Sequence, residues 1–168
     1  MGKNYGKLNE FMNTIVAKIL SSDEVCKFLK YYGNNIDVLS QPNLTGKEKK
    51  ELLNNKIYLT KRIPDVQRTA QATLQIRFTD IDFEQGSTQV DKIRFYIYII
   101  CHHDTINTAN GCRDLCLLTA LHKVFDKTDI GIGRLKHWRT YDLSSMGDFY
   151  QGYGLSYELY DFIDKVRE

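Results

Sequence analysis

Cys101-His102-His103-Asp104, with Cys112 and Cys116 downstream, collects the residue types that zinc binding and thiol chemistry use. Thiolate and imidazole are good zinc ligands, but structural zinc sites usually present a tight Cys-x-x-Cys turn, and Cys112 and Cys116 stand four apart in a helical pattern. Ordinary core and loop roles fit these cysteines better. Thiol catalysis needs base and nucleophile within hydrogen-bond reach, whereas adjacent strand residues point to opposite faces, so Cys101 and His102 would meet only through special loop geometry. Asp80, Asp82 and Glu84 alternate as calcium ligands can, but Ile81 and Phe83 interrupt them, and the glycine and final glutamate of an EF-hand loop are not matched. Gly131-Ile132-Gly133 and Gly152-Tyr153-Gly154 lack the flanks of a nucleotide loop, and there is no esterase-type Gly-x-Ser-x-Gly. No catalytic residue, metal or cofactor is therefore expected, and a small enzyme working through Cys101, His102 and His103 is kept as an alternative.

Two basic stretches raise the question of nucleic acid. Lys47, Lys49 and Lys50 lie close to Lys56, Lys61 and Arg62, and Arg134, Lys136 and Arg139 surround His137 and Trp138. Interleaved, the two patches could form a groove, which would make the chain a nucleic-acid-binding module. The simpler reading puts the first patch in solvent and packs Trp138 under a long basic side chain. The charge balance does not decide the matter, since 23 Lys plus Arg against 21 Asp plus Glu give a net charge of only +2.

The elements that must carry these residues follow from periodicity. Leu8, Phe11, Met12, Ile15, Val16, Ile19 and Leu20 form a helical stripe. Ser21 and Glu24 have capping-box spacing before a second short helix that buries Val25, Phe28, Leu29 and Tyr32, and Thr45 with Glu48 repeats it before a basic helix from Lys47 to Asn54. Ile57 to Leu59 reads as a short edge strand closed by Pro64. Ala72, Leu74, Ile76 and Phe78 alternate with polar residues as a strand does, and Asp80 to Gln89 reads as the loop after it.

The next strand places Ile93, Phe95, Ile97, Ile99 and Cys101 on one face. Its other face holds Arg94, Tyr96, Tyr98 and Ile100, apolar enough to predict a central strand covered on both sides. A helix follows over 111–126, with Cys112, Leu115, Cys116, Leu118, Thr119, His122 and Phe125 as a broad face and Leu117, Ala120, Leu121 and Val124 as a second apolar side. Leu135 to Thr140 reads as a strand, Tyr141 to Gln151 as an insertion, and Tyr153 to Tyr160 as the closing strand, with Phe162 and Ile163 beyond it.

Together these predict one α+β domain over residues 1–168: a helical part, 1–56, and a mostly antiparallel sheet with its packed helix, 57–168. That length is enough to bury a core without metal or disulfide. The four cysteines are expected as free thiols. No apolar run is long enough to span a bilayer, so no membrane partner is expected and synthesis in the cytosol is.

Ile97-Tyr98-Ile99-Ile100-Cys101-His102-His103, the following Arg113-Asp114-Leu115-Cys116-Leu117-Leu118 with Leu121, and the closing Gly152-Tyr153-Gly154-Leu155-Ser156-Tyr157-Glu158-Leu159 carry a resemblance over roughly Leu8 to Phe162. In that order of elements the chain resembles the tail terminator and neck proteins of long-tailed bacteriophages. The resemblance implies a structural virion subunit that closes into a ring, commonly a hexamer, between the tail tube protein and the neck or head-connector proteins, with phage DNA passing through. It makes Asp80, Asp82, Phe83, Glu84 and Gln85, together with Met146, Asp148, Phe149 and Tyr150, the candidate partner-contact or lumen loops. The N-terminal region is longer than in the simplest members, which leaves a head-completion or other neck role as a variant.

Overall fold

The computed structural model describes residues 6–59, 70–83, 90–126, 134–143 and 147–160. Three helices come first: α1 (Gly6–Ser21), α2 (Asp23–Lys30) and α3 (Gly46–Glu51). Strands β1 (Ile57–Tyr58), β2 (Ala72–Phe83) and β3 (Val90–His102) follow. After a 3-10 turn at His103–Thr105 and the small ladder of β4 (Asn107–Thr108) with β5 (Gly111–Cys112) come α4 (Arg113–Phe125), β6 (Arg134–Asp142) and β7 (Tyr150–Tyr160).

The main sheet has the order β1-β2-β3-β7-β6. β1 and β2 pair in parallel, the other described neighbours in this sheet are antiparallel, and β3 is the middle strand. The chain is an α+β protein with a mostly antiparallel sheet. Helix α4 packs on β3, β7 and β6 and is itself covered by α1 and α2. The apolar sets predict this layering: Phe11, Ile15, Val16 and Ile19 of α1, Val25, Phe28 and Leu29 of α2, and Leu117, Ala120, Leu121 and Phe125 of α4 are buried with Ile93, Phe95, Ile97, Ile99 and Cys101 of β3. Phe95 stacks on Tyr157 with ring centroids 5.5 Å apart, and Phe125 closes on both.

Several boundaries differ from the sequence expectation. Ser22, not Ser21, caps α2, its hydroxyl accepting from the Val25 N–H at 3.3 Å. At α3 the Thr45 and Glu48 capping box forms as the spacing predicts, but the helix ends at Glu51. Asp80, Asp82 and Phe83 belong to β2 rather than to a loop, pairing with Arg94, Lys92 and Val90 across a bulge at Thr79. The bulge absorbs one residue, so the alternation breaks phase and imitates a strand end. Likewise Tyr141 and Asp142 extend β6, while Tyr150 and Gln151 begin β7 opposite His102 and Cys101.

Helix α4 buries its Leu117, Ala120, Leu121 and Phe125 stripe together with Arg113 and Asp114, leaving Cys112 and Leu115 exposed. The broader face read from periodicity is therefore mostly the outer one, because hydropathy alone could not place two charged residues inward. Strand β3 is central, but among the described residues the helices cover one of its faces, while Arg94, Tyr96 and Tyr98 on the other stay half-buried. Glu84, Gln85, Met146, Lys61, Arg62, Pro64, the Gly131 to Gly133 segment, Phe162 and Ile163 lie outside the described residues.

Candidate functional site: two sheet ends and an open face

The cysteine and histidine cluster disperses. Cys101 points into the helix-side core, where burial pushes its thiol far above the usual range. His102, on the other side of the strand, is buried under Phe149 and Tyr150, and its Nδ1 accepts the Asp104 N–H at 3.2 Å. His103 and Cys112 are exposed, and all four cysteines are free. Among the described residues no group of three His, Cys, Asp or Glu side chains gathers to hold a metal. A thiol with a raised pKa is a poor nucleophile.

The basic patches are also separated. Helix α3 leads directly into β1 at one edge of the sheet, and β6 is the opposite edge. Four strand spacings of about 4.8 Å hold them roughly 19 Å apart, so they cannot close on one groove. Lys47 and Lys50 are exposed as expected, and Lys49 pairs with Asp23. Trp138 does pack against a basic side chain: the Arg94 guanidinium lies 4.1 Å from its ring centroid.

The two candidate loop regions fall at opposite ends of the sheet. Asp80, Asp82 and Phe83 are at the end where β2 passes to β3; Asp148 and Phe149 are at the other, beside His102 and His103. Strand β3 is 13 residues long, which at about 3.3 Å per residue separates the ends by roughly 40 Å. Phe149 is 51 % exposed, and with Leu115 in the first turn of α4 and Leu39, whose N–H reaches Asn110 Oδ1, it leaves large apolar side chains uncovered at that end. Tyr150, by contrast, is 3 % exposed and belongs to the sheet, so it is no contact-loop residue.

The side of the sheet away from the helices joins Lys136, Trp138 and Arg139 of the second basic stretch to residues that the sequence did not connect with them. Tyr96 and Tyr98 stack at 6.1 Å, and Tyr141 closes edge-on to both. Arg77 aligns with Tyr96, Ser156 and Arg139 in one row across four strands; the next row aligns Asp80, Arg94, Glu158 and Lys136. Arg94 donates to Glu158 at 3.0 Å and to Asp80 at 3.3 Å, and Lys92 reaches Glu158 at 3.0 Å. The Glu158 hydrogen bond, with that of Asp80, holds the Arg94 pKa up. Partial burial works against ionising Glu158, but the hydrogen bonds from Lys92 and Arg94 outweigh it and bring its pKa down. The bulge between His137 and Arg139 puts Trp138 and Arg139 on this side together, the kind of re-aiming that bulges provide. Cross-strand rows need the register, which one sequence does not contain.

The structure defines an α+β protein whose described residues show two distinct sheet ends and one sheet face without helices. The family model described as YomW matches residues 22–159, and the chain belongs to that family. Its name derives from a Bacillus phage, making the chain a phage-related protein. No curated protein and no solved structure matches it.

Proposed function

We propose that this protein is a tail terminator or neck subunit of a tailed phage, a non-enzymatic virion component that forms a homo-oligomeric ring, a hexamer, between the tail tube and the head connector. The observation that carries the reading is the placement of the two candidate contact regions at opposite ends of a sheet roughly 40 Å long, as a subunit held between two different partners requires. The order of elements agrees with it, from N-terminal helices through the β2 and β3 hairpin and α4 to the closing β6 and β7 hairpin. So does the phage-derived family name. A ring needs a heterologous contact between two different patches of one chain. Assembly would take place in the host cytoplasm, with the mature protein in the virion neck.

The test is to purify the chain, measure its mass in solution with and without assembled tail tubes, and image the tube ends. Rings capping one end of each tube are expected. A chain that stays monomeric with tubes present, and leaves both tube ends bare, would overturn the proposal.

A further inference from the structure

We infer that the open face of the sheet between β2 and β6 is a contact surface for the sugar-phosphate backbone of duplex DNA. Its charge is complementary to phosphate: Arg77, Lys92, Arg94, Lys136 and Arg139 face this side, against Asp80, Glu158 and, opposite Lys92 in the register, Asp82. Asp80 and Glu158 are engaged by Arg94 and Lys92, and among the described residues no carboxylate pairs with Arg77, Lys136 or Arg139. Arg77 is half-exposed, and Lys136 and Arg139 are exposed. Arg77 and Arg139 share one row with two strands between them, so three strand spacings of about 4.8 Å set their Cα atoms roughly 14 Å apart. That is the scale of the major groove, about 12 Å wide, so the two guanidiniums can meet phosphates on both of its walls.

The aromatic residues decide between duplex and single strand. Single-strand binding uses free ring faces on which bases stack. Here Tyr96 lies on Tyr98, Tyr141 closes on both, and Arg94 takes one face of the half-exposed Trp138. The Arg94 and Arg139 guanidiniums lie against Trp138 and Tyr141, and tyrosine and arginine side chains are ordinary donors to phosphate oxygen. The contact would be independent of base sequence and sensitive to salt, as DNA in transit requires. The inference rests on the neck reading for the presence of DNA, not for the chemistry of the face.

The experiment is fluorescence anisotropy of the full chain with a duplex of about 30 base pairs and with the matching single strand, between about 50 and 200 mM salt. Duplex binding is expected, with affinity falling linearly against salt on logarithmic axes. Arg77→Gln with Arg139→Gln should reduce that slope by about 2. Arg77→Lys with Arg139→Lys should keep it, and Lys47→Gln with Lys50→Gln on the far edge should leave it unchanged. Absence of duplex binding, a glutamine variant that binds like the wild type, or tighter binding to the single strand would each overturn the inference. So would a glutamine variant that loses self-association while its DNA affinity is intact, which would give the face to a second copy of the chain. A protein that binds duplex as described but never caps a tube would sink the neck reading alone; one that caps tubes without DNA affinity would sink this one alone.

Discussion

The ring of Tyr141 lies directly across the backbone of Gly154: a Cβ at that glycine would stand 2.3 Å from the tyrosine Cζ. Gly154 pairs with Tyr98 on β3 and with Tyr141 on β6, so the missing side chain makes the trough that lets the three tyrosines meet. Burial, and then the Tyr98 hydroxyl, push the Tyr141 pKa up, as expected of a ring held down on the sheet. Gly154→Ala should destabilise the protein by about 1–3 kcal/mol through overpacking. The same change in a Tyr141→Ala background should cost clearly less, because the clashing atoms are gone. Urea denaturation of the four proteins of this cycle decides it, and strictly additive costs would show that the contact does not matter.

Arg113 is fully buried and joins three elements. Its Nε donates to the Thr105 carbonyl and its Nη1 to the Phe28 carbonyl, both at 2.6 Å, while the guanidinium sits 4.9 Å from the Tyr32 ring centroid. Tyr32 in turn accepts the Ala72 N–H at 3.1 Å and donates to the Leu29 carbonyl at 2.7 Å, so α2, β2 and α4 share one polar network. Burial lowers the Arg113 pKa, but a guanidinium still keeps its charge in a protein. Arg113→Met should cost about 2–4 kcal/mol, because two buried carbonyls lose their donors. Arg113→Lys should recover little of this, since an ammonium cannot reproduce the fork. Equal denaturation midpoints for Arg113→Lys and the wild type would count against the assignment.

Where α4 meets β6, the His137 ring stands edge-on to His122 at 5.3 Å, with its Nε2 2.9 Å from Thr140 Oγ1. Tyr157 and Asp126 face the pair, Tyr157 near both rings and Asp126 near His122. Partial burial, and then His122, pull the His137 pKa below 6.5, and the attraction of Asp126 does not offset them. The folded protein thus binds a proton at His137 less readily than the unfolded chain does. The stabilising contribution is complete above about pH 6.5, the value for an unperturbed histidine, and is lost as pH falls toward the depressed folded value. His137→Gln should flatten this part of the stability curve. Denaturation midpoints followed downward from neutral pH measure it, and an unchanged slope in the variant would refute the coupling.

How far the sequence carried the structure depends on which residues share a local pattern. The stripe of α1, the Thr45 capping box and the inward face of β3 were legible because each is set by neighbours a few residues apart. So were the short β1 edge and the central position of β3. The bulges at Thr79 and Trp138 were not, since a single inserted residue looks like the end of alternation. Arg113 was missed as a core residue although its spacing from Leu117, Ala120 and Leu121 puts it on the buried stripe; a charge there reads as solvent-facing unless its carbonyl partners on other elements are known. The row from Arg77 to Arg139 depends on register alone. Sequence reasoning offered the regions around Asp80 and Phe149 as contact loops without placing them at opposite ends of the sheet, and it put Tyr150 on the wrong side of a strand boundary.

Phe149 and Leu115 give the sharpest test of the two-ended arrangement. Both are large apolar side chains left half-exposed near the start of α4, and the Phe149 ring stacks on His102 with centroids 6.2 Å apart. Surface truncation away from the core usually changes stability by no more than about 0.5 kcal/mol, so Phe149→Ser with Leu115→Ser should fold normally. If this end meets one neighbour in the neck and the Asp80 end meets another, the double variant should lose binding to one of the two, tail tube or connector, and keep the other. Co-sedimentation with each component separately makes the measurement. Loss of both, or of neither, would show that the two ends do not divide the partners between them.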